Sequence, residues 1–139
     1  MKTTVVGAGD QTPYCRSMAI TVDDILEARD LSEPRISPDG RWVALVVSDA
    51  DGSYVHLISL ADGTMRRVSD EPVRAGRGLG GGCFDWLPDS TGLVVVTKAN
   101  GLQHMSLEGE LRPVLALDGR SISGPAVSPD GSAVAVVIE

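Results

Sequence analysis

The chain has 139 residues, the length of one modest domain, and carries 12 Lys and Arg against 19 Asp and Glu, a net charge of −7. A surface of that sign does not gather phosphate backbones, which argues against nucleic-acid binding. No run of about 18 apolar residues would make a membrane-spanning helix, and Met1 to Val6 is too short for a secretory h-region, so the reading is a cytoplasmic protein with no membrane partner.

In chain order, residues 1–19 read as a flexible tail. Gly7, Gly9, Asp10 and Pro13 fall in no sustained period. Val5-Val6-Gly7-Ala8-Gly9 has two glycines of a dinucleotide fingerprint, but neither a third nor a helix pattern after them. A start at Met18 would lose nothing assignable to structure. Cys15 and Cys83 are separated by 67 intervening residues with no export signal, so two free thiols are expected. They also lack companions for a zinc site, since neither His56 nor His104 stands at ligand spacing from a Cys.

Residues 20–32 are predicted to form a short lead-in helix, running from Thr21 to Leu31. Thr21 suits the N-cap, and Asp23 and Asp24 suit the positive end of the helix dipole. Val22, Ile25 and Leu26 form a narrow apolar stripe, and Pro34 prevents continuation.

From 33 to 139 the pattern is strand and turn. Seventeen Val, 16 Gly and 8 Pro with only 4% aromatics favour short strands and tight turns over helices. The pattern repeats. Ser37-Pro38-Asp39-Gly40 precedes the apolar Arg41 to Ser48. Leu87-Pro88-Asp89-Ser90-Thr91-Gly92 precedes Leu93 to Thr97. Ser128-Pro129-Asp130-Gly131 precedes Ser132 to Ile138. The spacings between the turn prolines are 50 and 41 residues, the period of propeller blades. In each turn Pro pre-sets φ, Asp bonds neighbouring amides, and Gly accepts a positive φ. The strands that follow are apolar on both faces, as a strand covered on both sides must be. Tyr54 to Leu60 and Thr64 to Val68 complete a first unit. Leu102 to Leu107 and Leu111 to Ala116 complete a second, with Pro113 marking an edge strand. The expected fold is therefore all-β: an incomplete β-propeller of about 2.5 to 3 four-stranded antiparallel blades with a short N-terminal helix. Blade 1 covers 33–70, blade 2 covers 81–118, and a partial blade 3 covers 122–139.

These repeats resemble the TolB-like, Pro-Asp-Gly type of propeller repeat. Thr21 to Leu26, followed by Leu31-Ser32-Glu33-Pro34-Arg35-Ile36-Ser37-Pro38-Asp39-Gly40-Arg41-Trp42-Val43-Ala44, resembles the start of prolyl oligopeptidase family serine peptidases, in the acylaminoacyl-peptidase or dipeptidyl-peptidase-like branch. Phe84-Asp85-Trp86-Leu87-Pro88-Asp89 resembles that family's second-blade turn, with Ser90-Thr91-Gly92 stretching the usual Pro-Asp-Gly. The resemblance covers residues 20 to 139. It implies a propeller that gates peptide substrates to a C-terminal α/β-hydrolase domain lying outside this chain. The alternative is a non-catalytic TolB-like module that binds a protein partner.

No catalytic, cofactor-binding or metal-binding residue is assigned, and no cofactor is expected. Gly119-Arg120-Ser121-Ile122-Ser123-Gly124 misses the Gly-x-Ser-x-Gly elbow by one place and precedes no helix pattern. Gly76-Arg77-Gly78-Leu79-Gly80-Gly81 matches a dinucleotide fingerprint in letters but lacks its strand and helix context, so an inter-blade loop is expected. His56 and His104 are expected on opposite strand faces and not in a shared site. Trp42 and Trp86 read as inter-blade packing, and Arg66-Arg67 as a solvated strand edge. The Val-rich strand from Ser132 to Ile138 is expected to leave an open edge, through which the chain would self-associate.

Overall fold

The computed structural model describes residues 28–75, 82–99 and 101–139. They form ten strands: β1 (Asp30–Ile36), β2 (Trp42–Asp49), β3 (Gly52–Ser59), β4 (Met65–Arg67), β5 (Phe84–Trp86), β6 (Gly92–Thr97), β7 (Gly101–Ser106), β8 (Leu111–Leu115), β9 (Ile122–Val127) and β10 (Val134–Ile138). The strands make two four-stranded antiparallel sheets, β1-β2-β3-β4 and β5-β6-β7-β8, and a two-stranded sheet of β9 and β10. Each sheet is a simple meander, as short connections between successive antiparallel strands dictate. These are two complete blades and the first half of a third. Pro113 lies in β8, on the edge of its sheet, where no ladder bond is asked of it.

The expected lead-in helix over 20–32 does not extend through Asp30 to Ser32, which are strand. Residues 20–27 lie outside the described residues, but Asp30, Leu31 and Ser32 belong to β1 and pair with Ser48, Val47 and Val46. Pairing to a strongly apolar neighbour outweighs the weak local preference of this short segment. The register then shifts between Ser32 and Arg35, where Glu33 takes a left-handed φ of 56° ahead of Pro34. The same irregularity recurs in β9, at Gly124 (φ 55°) ahead of Pro125. Residues 1–19 and the glycine run 76–81 lie outside the described residues.

Packing follows the alternation of side chains along the second and third strands of each blade. Ala44, Val46, Val55 and Leu57 of blade 1 meet Phe84, Leu93, Val95 and Met105 of blade 2 in one buried cluster. The other face of blade 2 presents Val94, Val96 and Leu102 to Ile122, with Val127, Val134 and Val136 of blade 3 partly buried against them. Strand β6 is thus buried along its whole length, as its unbroken apolar run requires of a strand covered on both faces.

The three turns share one hydrogen-bond pattern. The amides of Ser37, Leu87 and Ser128 donate to the carbonyls of Trp42, Gly92 and Ala133, at 2.8, 3.0 and 2.8 Å. The second turn is therefore not stretched. Ser90 occupies the left-handed position (φ 59°) held by Gly40 (φ 70°) and Gly131 (φ 72°). Gly92 is the first residue of β6, opposite Ser106, where any Cβ would strike the carbonyl oxygen of Met105.

Candidate functional site

The prolines of these turns and the ends of the inner strands β1, β5 and β9 meet at one end of the blades. They line an open groove of about 450 Å³. Its walls come from equivalent repeat positions. Ile36, Trp86 and Val127 each end an inner strand, and Pro38, Pro88 and Pro129 each open the turn that follows. Ile36 is 65% exposed although it is a large apolar side chain. The groove is thus a repeated apolar track, generated because the same sequence unit recurs blade after blade.

Its polar floor is Asp85. One carboxylate oxygen accepts from Arg35 Nη1 at 2.9 Å and from the Trp86 amide at 3.0 Å. The other accepts from the Val127 amide at 2.8 Å. One side chain of blade 2 therefore joins blade 1 and blade 3. The Trp86 indole N–H donates to the Arg35 carbonyl at 3.0 Å, closing a second tie across the first seam. Glu33 adds a third. Its left-handed backbone aims the carboxylate at the Cys83 amide, 2.7 Å away. Burial, followed by the negative charge of Glu33, pushes the Cys83 thiol well above the usual range. That thiol is kept protonated and unreactive.

The turn aspartates are held ionised. The Ser37 hydroxyl and then the Arg41 amide lower the carboxyl of Asp39. The Thr91 hydroxyl and amide lower that of Asp89. Asp130 falls from an ordinary 3.8 to about 2, chiefly through the Ser128 hydroxyl and then the Ser132 amide. Each aspartate is a turn fastener whose acceptor capacity is taken up by its own loop. Ser90 also uses its hydroxyl, which accepts from the Asp39 amide at 3.0 Å and so links two neighbouring turns.

The remaining residues flagged by sequence are dispersed. His56 lies on β3 opposite Leu45, on the face of blade 1 turned away from blade 2. His104 lies on β7 opposite Val94, on the face of blade 2 toward blade 3. The two rings share no site. Trp86 is buried in the first core, and Trp42 packs against it. Arg66 and Arg67 lie on the edge strand β4 but are more than solvated. Arg66 sits over the Trp42 ring and donates to the Leu107 carbonyl of blade 2 at 2.6 Å. Arg67 stacks at 3.4 Å from the Tyr54 ring centroid. Ser121 lies just before β9 and exchanges backbone hydrogen bonds with Glu139, extending the β9–β10 ladder. Cys15 lies outside the described residues.

Sequence reasoning missed Arg35, Asp85 and Glu33. The signal was present: aligned on the turn prolines, Arg35, Asp85 and Ala126 fall in one column, with opposite charges in adjacent repeats.

No family model matches the chain, and no curated protein matches it. Among solved structures it is similar to TolB from Acinetobacter baumannii, with 17% sequence identity and a TM-score of 0.58. The match covers 76% of this chain and 26% of that one, so the chain spans about a quarter of that protein's length. At this identity the likeness speaks for the fold alone. Together with the two meander sheets and the shared cores between them, it makes the described residues blades of a TolB-like β-propeller.

Proposed function

We propose that this chain contributes to a non-catalytic propeller module that binds an extended, apolar segment of a protein partner in the turn-end groove. One observation carries this reading. Repeat-equivalent apolar residues from three blades line a single open groove, with the Arg35–Asp85 pair as its polar floor. Binding sites of this kind combine an apolar lining with a few fixed polar groups that set orientation. A rigid track with a repeating lining suits a chain in extended conformation. The test is selection of peptides from a random display library on the purified chain, followed by binding to the Ile36→Asp variant. Peptides that shift Trp86 emission in the parent chain and lose that effect in the variant support the reading. Peptides that bind both proteins equally overturn it.

The second reading is a propeller that gates substrates for a serine peptidase. Its support is the sequence resemblance over Thr21 to Ala44, with the Phe84-Asp85-Trp86 segment. Coding sequence beyond Glu139 decides it. Further blades followed by Gly-x-Ser-x-Gly and a late His would select the peptidase, and a stop after further blades would select the binding module.

A further inference from the structure

A second cavity, of about 140 Å³, lies at the end of the blade 2 sheet away from the turn groove. Three separate chain segments bound it, and each brings one cation. Arg74 comes from the connection between blades 1 and 2, Lys98 from the turn after β6, and Arg120 from the connection into β9. Backbone hydrogen bonds hold these segments in place. The Arg74 amide donates to the Val96 carbonyl at 2.8 Å, and the Lys98 amide to the Pro72 carbonyl at 3.1 Å. Residue 120 is followed directly by the Ser121–Glu139 ladder pair. Ala99, Gly101 and Ala116 are the small residues that keep the space open.

The charge arrangement is unusual for this molecule. Elsewhere among the described residues, the cations other than Arg29 are engaged. Arg35, Arg41 and Arg112 are ion-paired. Arg66 and Arg67 lie over aromatic rings and donate to carbonyls. Arg74, Lys98 and Arg120 have no such partner among the described residues, a condition shared only by Arg29. In a chain with a net charge of −7, three such cations, all exposed residues, line one small cavity. Asp118 stands in the same wall and is within ion-pair distance of none of them. The local balance of the four groups is +2.

We propose that this cavity binds a single phosphoryl-type oxyanion, with Arg74, Lys98 and Arg120 as its donors. A phosphoryl group carries roughly −1.5 to −2 charges near neutral pH, which matches the local balance. The forked guanidinium groups suit its oxygens, and the lysine adds a point charge. The size selects the group and not a whole metabolite, since sites for drug-sized ligands begin at about 300 Å³. Asp118 opposes the anion and limits affinity. The inference is independent of the peptide reading, because the two cavities lie at opposite ends of the β6 strand.

The test is a titration of the full chain, followed by amide chemical shifts, with inorganic phosphate and separately with O-phosphoserine, at ionic strength matched with chloride. Saturable shifts at Lys98, Gly101 and Arg120 are expected. Arg120→Gln should weaken binding about tenfold, the loss of one charge-assisted contact, and Asp118→Asn should tighten it. Ile36→Asp should leave it unchanged. If Arg120→Gln fails to fold, Lys98→Gln carries the same comparison. Tighter binding of phosphoserine identifies a phosphorylated chain as the source of the group, and tighter binding of phosphate a free anion. Shifts that do not saturate by about 10 mM, or that persist unchanged in both charge-removing variants, overturn the proposal.

Discussion

The two seams between blades are made from the same repeat, yet they differ in depth. The seam between blades 1 and 2 buries the middle strands of both sheets in the larger of the two cores. Hydrogen bonds cross it from Glu33, Arg35, Asp39, Arg66 and Trp86. The seam between blades 2 and 3 has a smaller core, with Val134 and Val136 only partly covered. Among the described residues two hydrogen bonds span its inner strands, Val127 to Asp85 and Gly124 to Gly82. Val94 and Val96, which face blade 3, are within a few per cent of full burial, while Val137, on the face of β10 turned away from blade 2, is 41% exposed. Burial here belongs to the neighbour as much as to the residue.

The largest expected effect separates the seams directly. Phe84→Ala empties a fully buried site in the first seam and should cost about 3 to 4 kcal/mol in urea unfolding. Val136→Ala in the second seam should cost less than about 1 kcal/mol, as partly exposed sites do. Equal losses would show that the second seam is as tight as the first, and the contrast would fail. Cooperative unfolding of the parent chain is the condition for comparing them, and coincident fluorescence and circular dichroism transitions check it.

A smaller effect sharpens the comparison at the turns. Ser90 holds a left-handed backbone while its hydroxyl accepts the Asp39 amide across the first seam. Ser90→Ala loses that bond and keeps the strain, so it should destabilise by about 1 kcal/mol. Ser90→Gly loses the bond but relieves a strain of similar size, and should be within about 0.5 kcal/mol of neutral. Thermal melts of the pair read the difference. If both variants fall equally, the seam bond matters and the strain does not.

The smallest effect is a pH dependence shared by all three turns. Asp39, Asp89 and Asp130 are depressed in the folded state, so their contribution is complete above the ordinary value of 3.8 and is lost as pH falls through the folded value. For Asp130 that window runs from 3.8 down to about 2. Stability followed by melting between pH 5 and pH 2 should fall most steeply below pH 4. Asp130→Asn should reduce the slope in that window. An unchanged slope would mean that the turn fasteners do not couple to folding.

The repeat was legible because it rests on local chemistry. Pro, Asp and a left-handed residue specify each turn without help from the rest of the chain, and the apolar runs after them specify covered strands. Two features were not legible. Asp30 to Ser32 pair with β2 through a bulge at Glu33, and nothing in that stretch outweighs a helical reading until the partner strand is present. The Asp85 clamp depends on three segments far apart in sequence, so only the alignment of repeats hints at it. Ser90 was misread because a serine in a left-handed conformation looks like an insertion when Gly is taken as obligatory.

Asp85 also bears on how the blades move. Because its two oxygens engage different blades, one carboxylate is a hydrogen-bonded path between blade 1 and blade 3. A peptide that displaced Arg35 from it would change the partner of one oxygen while the other still held the Val127 amide. The end of β9 would then feel occupancy of the blade 1 wall on the far side of the groove. The groove floor is in this sense a relay between blades that do not share a core.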